Sequence, residues 1–97
     1  MIFHIALFKW KENVSNEVTT SIMRDVKALK EKVPGILDIH CGENFSEWST
    51  GYTHAFVITA ENRAALEAYR MHSDHKAVAN RIDQMDAGSM GFDFEDR

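Results

Sequence analysis

The fold is decided by the stretch Ile2-Phe-His-Ile-Ala-Leu-Phe-Lys-Trp10, which alternates as a β-strand does and is apolar on both faces. Successive side chains of a strand point to opposite sides of its sheet. One face therefore carries Phe3, Ile5 and Leu7, and the other carries His4, Ala6, Phe8 and Trp10. A sheet with one wet face shows a polar residue at every second position. We therefore expect this strand to be covered on both sides.

The segment after the first strand has the spacing of an amphipathic helix. Ser15 is placed to cap its start, and Pro34-Gly35 stops it. Apolar residues recur every three or four positions between these limits, which predicts one apolar stripe made of Val18, Ile22, Val26, Leu29 and Val33. The opposite positions are polar, so one side of this helix is expected to dock on the sheet.

Three more strands and a second helix complete the pattern. Alternation predicts strands over residues 36–43 and 53–60, and a last strand that follows Gly88 and carries Met90, Phe92 and Phe94. Asn62 is predicted to cap a helix, and Ser73 to cap its continuation after a bend. The order β-α-β-β-α-β predicts an α+β, ferredoxin-like domain over residues 1–97, with a four-stranded antiparallel sheet and helices on one face.

The uncovered face of such a sheet requires a partner. Strands apolar on both sides would leave a large patch in water: His4, Ala6, Phe8, Trp10, Phe56 and Ile58, or their counterparts on the other face. A second copy packed face to face removes that patch. We therefore expect a homodimer that closes a dimeric α+β barrel.

Composition and charge exclude several classes of function. The chain has 97 residues, 44% hydrophobic and 27% charged, with a formal charge of -4. No basic cluster is long enough to follow a nucleic acid, and no apolar run reaches the roughly 20 residues that cross a membrane. The apolar start reads as a strand and lacks the basic leader of a signal peptide. With Cys41 as the single cysteine, we expect a cytoplasmic protein with no disulfide.

The histidines are candidates for acid-base chemistry. His4 and His54 lie in phase with aromatic neighbours, and if that phase faces between the two sheets, both imidazoles enter an apolar cavity where they can titrate near neutrality or below. Tyr69 and His75, close in the chain, can add a phenol and a second imidazole. This set predicts proton transfer without a cofactor, with His75, Tyr69, His54 and His4 as catalytic residues. The ligand is expected to contact Phe8, Trp10, Phe56 and His72.

Structural roles for the same residues remain open. Each histidine can be a hydrogen-bonded structural residue, and His72 can bond the backbone where the helix breaks. His72-x-x-His75 has the spacing of two metal ligands, but zinc sites use three or four and the other ligand patterns are missing. Cys41 has no activating cation beside it, so a buried, inert thiol is expected. No glycine-rich phosphate loop occurs.

Several short motifs together resemble the stress-responsive A/B barrel (Dabb) domain family. They are residues 4–11, Val33-Pro-Gly-Ile36, Gly42-x-Asn44, residues 51–55, Tyr69-x-x-His72-x-x-His75 and Phe92-Asp-Phe-Glu95. The resemblance implies a dimeric α+β barrel, and most members have no assigned reaction. One plant branch, which forms olivetolic acid, closes polyketides by aldol condensation. Similarity to that branch implies that His75 is the acid/base, that Tyr69 orients a carbonyl, and that His4 and His54 line the cavity. Ser73 departs from the family, which usually has proline there.

Three functions follow as alternatives. The first is a small-molecule pocket, for binding or for cofactor-independent catalysis on a carbonyl or aromatic compound, in which His4, His54, Tyr69 and His75 converge. The second is a stress-associated structural protein, whose cavity would be filled by Phe8, Trp10 and Phe56. The third is a cofactor-free oxygenase, which needs a substrate that itself activates oxygen.

Overall fold

Four strands and three α-helices lie within residues 1–96, the part of the chain that the computed structural model describes. In chain order they are β1 Ile2–Trp10, α1 Asn16–Ala28, β2 Ile36–Glu43, β3 His54–Ala60, α2 Arg63–Met71, α3 Ser73–Met85 and β4 Asp86–Glu95. The strands form one antiparallel sheet in the order β2-β3-β1-β4. The predicted ferredoxin-like architecture is confirmed, with the second helix divided in two. The last strand was predicted to follow Gly88, but it begins two residues before that glycine, at Asp86.

Helix α1 begins and packs as its sequence predicts but ends sooner. Ser15 Oγ accepts a hydrogen bond from the backbone N–H of Val18 at 3.2 Å, which satisfies one free donor of the first turn. The apolar stripe is buried from Ile22 to Val33, Ile22 is fully enclosed, and Val18 is partly buried. The expected single helix through Val33 is wrong, because the turn after Ala28 tightens into a 3-10 helix over Leu29–Glu31. Gly35 then reverses the chain at a φ of +87°.

The second helical segment breaks at His72. Asn62 caps α2 as predicted, since its Oδ1 accepts from the N–H of Ala65 at 2.8 Å. Ser73 was predicted to cap the continuation, but it is the first residue of α3. The cap is His72, whose extended backbone (ψ 136°) ends α2 and whose Nδ1 accepts from the N–H of Asp74 at 3.1 Å. The ring nitrogen thus replaces the hydroxyl acceptor that the sequence suggested.

The helices cover one of the two sheet faces between which the sequence left the choice open. The core joins Ile22, Val26 and Val78 of the helices to Phe56 and Ile58 of β3. In β1, the residues in that phase are His4, Ala6, Phe8 and Trp10, so they face the helices and not a second sheet. The alternation of residues shows that both phases of β1 are apolar, but it does not show which phase faces the helices.

The opposite side of the sheet, called here the free face, is apolar and bare of helices. Register pairs Phe3 with Phe94, Ile5 with Phe92 and Leu7 with Met90. The ring centroids of Phe3 and Phe94 stack 5.0 Å apart. Ala55 and Val57 continue the same face on β3, and Phe92 is 61% exposed. The prediction of a sheet apolar on both sides is therefore confirmed.

Candidate active site

A small cavity lies between the sheet and helices α1 and α3. Its volume is about 110 Å³. The polar lining comes from His4, Tyr69, His75 and Asp83, and the apolar lining includes Ala6, Phe8, Val26, Leu29, Phe56, Ile58, Val78 and Ile82. Three of the four residues predicted to be catalytic, and two of the predicted ligand contacts, thus meet at one place. An apolar pocket with a few convergent polar groups is the usual form of a small-molecule site.

The break at His72 brings Tyr69 and His75 together. Six residues of continuous helix turn by about 600° and rise by about 9 Å, which would leave the two side chains about 120° apart. With the chain broken between α2 and α3, the two ring centroids lie 4.4 Å apart. The His4 ring is 6.4 Å from the Tyr69 ring and meets it edge-on.

Burial sets the proton state of this pair. It raises the pKa of Tyr69 to about 12, so the phenol stays protonated at neutral pH and can donate a hydrogen bond. Burial also lowers the pKa of His75, against an opposing effect of the Arg70 backbone carbonyl, and the positive charges of neighbouring groups lower it further. Nδ1 of His75 is buried and has no hydrogen-bond partner within residues 1–96. The site therefore pairs a proton donor with a neutral imidazole.

We expect acid to destabilise the fold through two histidines, the buried His54 and the half-buried His75. Burial lowers the pKa of His54 and of His75 below the ordinary value of 6.5. Below about pH 6.5 the unfolded chain takes up protons that the folded chain does not, so stability present above that pH is lost as pH falls toward the folded pKa values. Urea denaturation at about pH 7.5 and 5.5 should give a lower free energy of unfolding at the acid pH. Equal values would contradict this assignment.

Two residues that the sequence did not suggest contact one another behind His4, outside the lining of the cavity. Asp93 on β4 lies directly opposite His4 in the sheet register, and its carboxylate contacts His4 Nδ1. Arg70 on α2 donates from Nη2 to the other oxygen of the same carboxylate. The signal was a single acidic residue between Phe92 and Phe94, but only the register of β4 against β1 shows that it meets His4.

His54 and Trp10 lie outside this cavity. Trp10 Nε1 donates to His54 Nδ1 at 2.7 Å, and Thr53 Oγ1 lies 3.0 Å from the same nitrogen. Trp10 stacks on Phe8 with 5.6 Å between centroids, and Phe8 meets Phe56 edge-on at 5.4 Å. The expectation that all four candidate residues share one cavity thus holds for His4, Tyr69 and His75 but not for His54. His54 has the same phase as Phe56, but it is the first residue of β3 and lies at the far end of this aromatic row.

His72 serves the backbone, which was the structural alternative considered for it. Its Nδ1 accepts the hydrogen bond that caps α3, and the ring does not line the cavity.

Other classes of site find no support in the described residues. In the described part of the chain, no three His, Cys, Asp or Glu side chains lie close enough to share a metal ion. Burial raises the pKa of the half-buried Cys41 thiol. Of the helices that the structure describes, none has both the length and the apolar character needed to cross a membrane.

Comparison with known proteins places this geometry in a family. The family model described as the stress responsive A/B barrel domain matches residues 2–96. A protein of Arabidopsis thaliana, named as a stress-response A/B barrel domain-containing protein, is 37% identical over 65 residues. That match covers 66% of this chain but 25% of the plant protein, so the aligned region spans about a quarter of that relative's length.

Two solved structures share the fold. A dimeric ferredoxin-like protein of unknown function from Thermobifida fusca superposes with a TM-score of 0.84 and 26% identity, covering 96% of this chain and 88% of the other. A hydroxynitrile lyase from Passiflora edulis superposes with a TM-score of 0.91 and 16% identity, covering 99% and 93%. The match of the family model over residues 2–96 shows that this chain belongs to the stress-responsive A/B barrel domain family.

Proposed function

We propose that the cavity binds a small carbonyl compound and catalyses a proton transfer without a cofactor. The observation that carries this proposal is the close approach, at an apolar cavity, of a protonated phenol to an imidazole whose pKa is lowered by burial and whose buried Nδ1 has no hydrogen-bond partner within residues 1–96. The hydroxynitrile lyase of the same fold supports an enzymatic role, since it is an enzyme built on this architecture.

The two groups have separate tasks in this reaction. His75 takes a proton from the carbon next to the carbonyl, and the electron pair of that C–H bond moves toward the carbonyl oxygen. Tyr69 donates its O–H to that oxygen and stabilises the enolate. The lowered pKa keeps His75 free to accept a proton at neutral pH, and the raised pKa keeps Tyr69 a donor. His4 adds a third polar group to the same wall.

The size of the cavity favours a small substrate. Drug-sized ligands occupy pockets of about 300–1,000 Å³, whereas a benzene-binding cavity measures about 150 Å³. At about 110 Å³ the cavity fits a ketone or aldehyde of a few heavy atoms. A linear polyketide thioester, as in the cyclase branch of the family, exceeds this volume. A purely structural role is less favoured, because Phe8 and Phe56 line this cavity without filling it.

The free face supports a homodimer. The neighbour from Thermobifida fusca is described as dimeric. The free face carries bulky side chains on β4, and over β2 and β3 it has a groove of about 450 Å³ whose lining includes Leu7, Ala55 and Val57. A two-fold axis sets the bulky strand of each copy against the groove of the other, which makes one surface complementary to itself. We place this dimer in the cytoplasm, where a lone thiol such as Cys41 stays reduced.

Exchange of carbon-bound hydrogen tests the reaction without a known substrate. The protein is incubated with small ketones and aldehydes in heavy water, and deuterium gained next to the carbonyl is followed by NMR. We expect His75→Ala to lower the enzyme-dependent rate about 100-fold or more, as for the loss of a general base. Tyr69→Phe should lower it about 10-fold or more by removing one donor to the oxyanion.

The control variant is Arg24→Gln, which changes an exposed residue of α1 that lines neither the cavity nor the groove of the free face. Its rate should equal that of the unaltered protein. If His75→Ala and Tyr69→Phe also keep the full rate, the proposed chemistry is wrong. If no compound in the panel exchanges or raises the melting temperature, the structural alternative is favoured.

A further inference from the structure

A chain of polar contacts links the cavity to the outer surface. His4 lines the cavity, and its Nδ1 contacts Asp93 Oδ1. The second carboxylate oxygen accepts from Arg70, which lines a separate groove of about 370 Å³ between α2 and β4. The three side chains thus form the wall between an inner cavity and an outer groove.

The direction of each hydrogen bond in this wall is fixed by charge. The guanidinium of Arg70 can only donate. Partial burial acts to raise the pKa of Asp93, but hydrogen bonds and charge from His4 and Arg70 outweigh it and hold that pKa below its usual value. The carboxylate is therefore an acceptor on both sides, and the proton shared with His4 belongs to the imidazole Nδ1. In neutral His4 this leaves Nε2 as the ring's acceptor.

We propose that Asp93 and Arg70 are positioning residues that hold His4 in its Nδ1–H form, with Nε2 available to a ligand. The benefit of this arrangement rests on the proposed function: a ring held in the Nδ1–H form always presents the same nitrogen, Nε2, to the substrate as a hydrogen-bond acceptor. Arg70 also follows Tyr69 directly in α2. Its bond to β4 therefore fixes the end of the helix that carries the phenol.

The matching arginine in the same groove provides a control. Arg63 also lies on α2 and also faces an acidic residue of β4, with Nε 3.6 Å from Glu95 Oε1. Glu95 lies opposite Ile2 in the register and has no histidine beside it on β1. Arg63→Met therefore removes one ion pair of the groove without touching the wall of the cavity.

Nitrogen NMR of the resting protein tests the proposal. With ¹⁵N-labelled histidine, the chemical shifts of the two ring nitrogens distinguish Nδ1–H from Nε2–H at a pH above the His4 titration, found from the same spectra. We expect Nδ1–H as the major form of His4. Asp93→Ala should make Nε2–H the major form, Arg70→Met should shift the population in the same direction, and Arg63→Met should leave it unchanged.

The outcomes separate this inference from the proposed reaction. A major Nε2–H form in the unaltered protein, or a spectrum of Arg70→Met identical to it, would overturn the inference. The first result depends neither on turnover nor on the folding of a variant, since it is read from the unaltered protein. The Nδ1–H form together with an absence of hydrogen exchange would leave the positioning role standing and remove the proposed chemistry.

Discussion

Replacing Phe92 with aspartate is expected to give a folded monomer at micromolar concentrations, at which we expect the unaltered chain to be a dimer. Phe92 lies on the free face, where it is 61% exposed in the single chain. Burying a side chain of this size contributes about 1.5–3 kcal/mol, and a two-fold interface loses it twice. The total of about 3–6 kcal/mol corresponds to dimerisation weaker by about 100-fold or more. Sedimentation equilibrium measures the dissociation constant directly.

Met71→Asp is the matched control for this prediction. Met71 is 60% exposed, close to the value for Phe92, but it lies at the end of α2 on the helical side of the sheet. The same charge placed there should leave the dissociation constant unchanged. If both variants dissociate equally, general loss of stability is the cause, and if neither dissociates, the free face is not the interface.

Gly35→Ala is expected to be among the most destabilising single changes in the chain. Gly35 has a φ of +87°, and a Cβ added there would lie 2.6 Å from the Cβ of Ala65. The left-handed backbone costs a residue other than glycine about 1–3 kcal/mol, and overpacking adds about 1–3 kcal/mol. We therefore expect the free energy of unfolding to fall by about 2–6 kcal/mol in urea denaturation at fixed protein concentration.

A double-mutant cycle with Ala65→Gly separates the two contributions. In the double variant the contact is gone but the backbone conformation is unchanged, so only the overpacking part should be recovered. Gly91→Ala serves as the control, because no heavy atom of the described residues lies within 4 Å of its added Cβ. A cycle without coupling would mean that the contact with Ala65 does not cause the loss.

Much of the fold could be predicted because its signals are local. The alternation of residues 2–10 and the spacing of Ile22 and Val26 each predict one element, and Ser15 and Asn62 mark where helices begin. The choice of face could not be predicted, because both phases of β1 are apolar and alternation is symmetric with respect to them. Which face is covered depends on how the helices pack on the sheet, and these contacts join residues far apart in the sequence.

The candidate site could be predicted only in part for the same reason. Tyr69 and His75 were found from residue type and nearness in the chain, while their contact depends on the break that the His72 cap imposes. Asp93 is separated from His4 by 89 positions, so nothing local connects them. His54 was placed with His4 because both lie beside aromatic residues, a likeness that does not show where along the strand each one sits.

One side of strand β1 lines the cavity and the other side belongs to the free face, so neighbouring residues of the strand contribute to the two surfaces alternately. His4 and Ala6 line the cavity, while Ile5 between them belongs to the surface proposed for self-association. The two binding events therefore share a wall one strand thick. A compound held more tightly by the pair than by the single chain must strengthen pairing by the same factor for thermodynamic reasons. The fraction of dimer would then rise as the cavity fills, and dilution of the protein would release the compound.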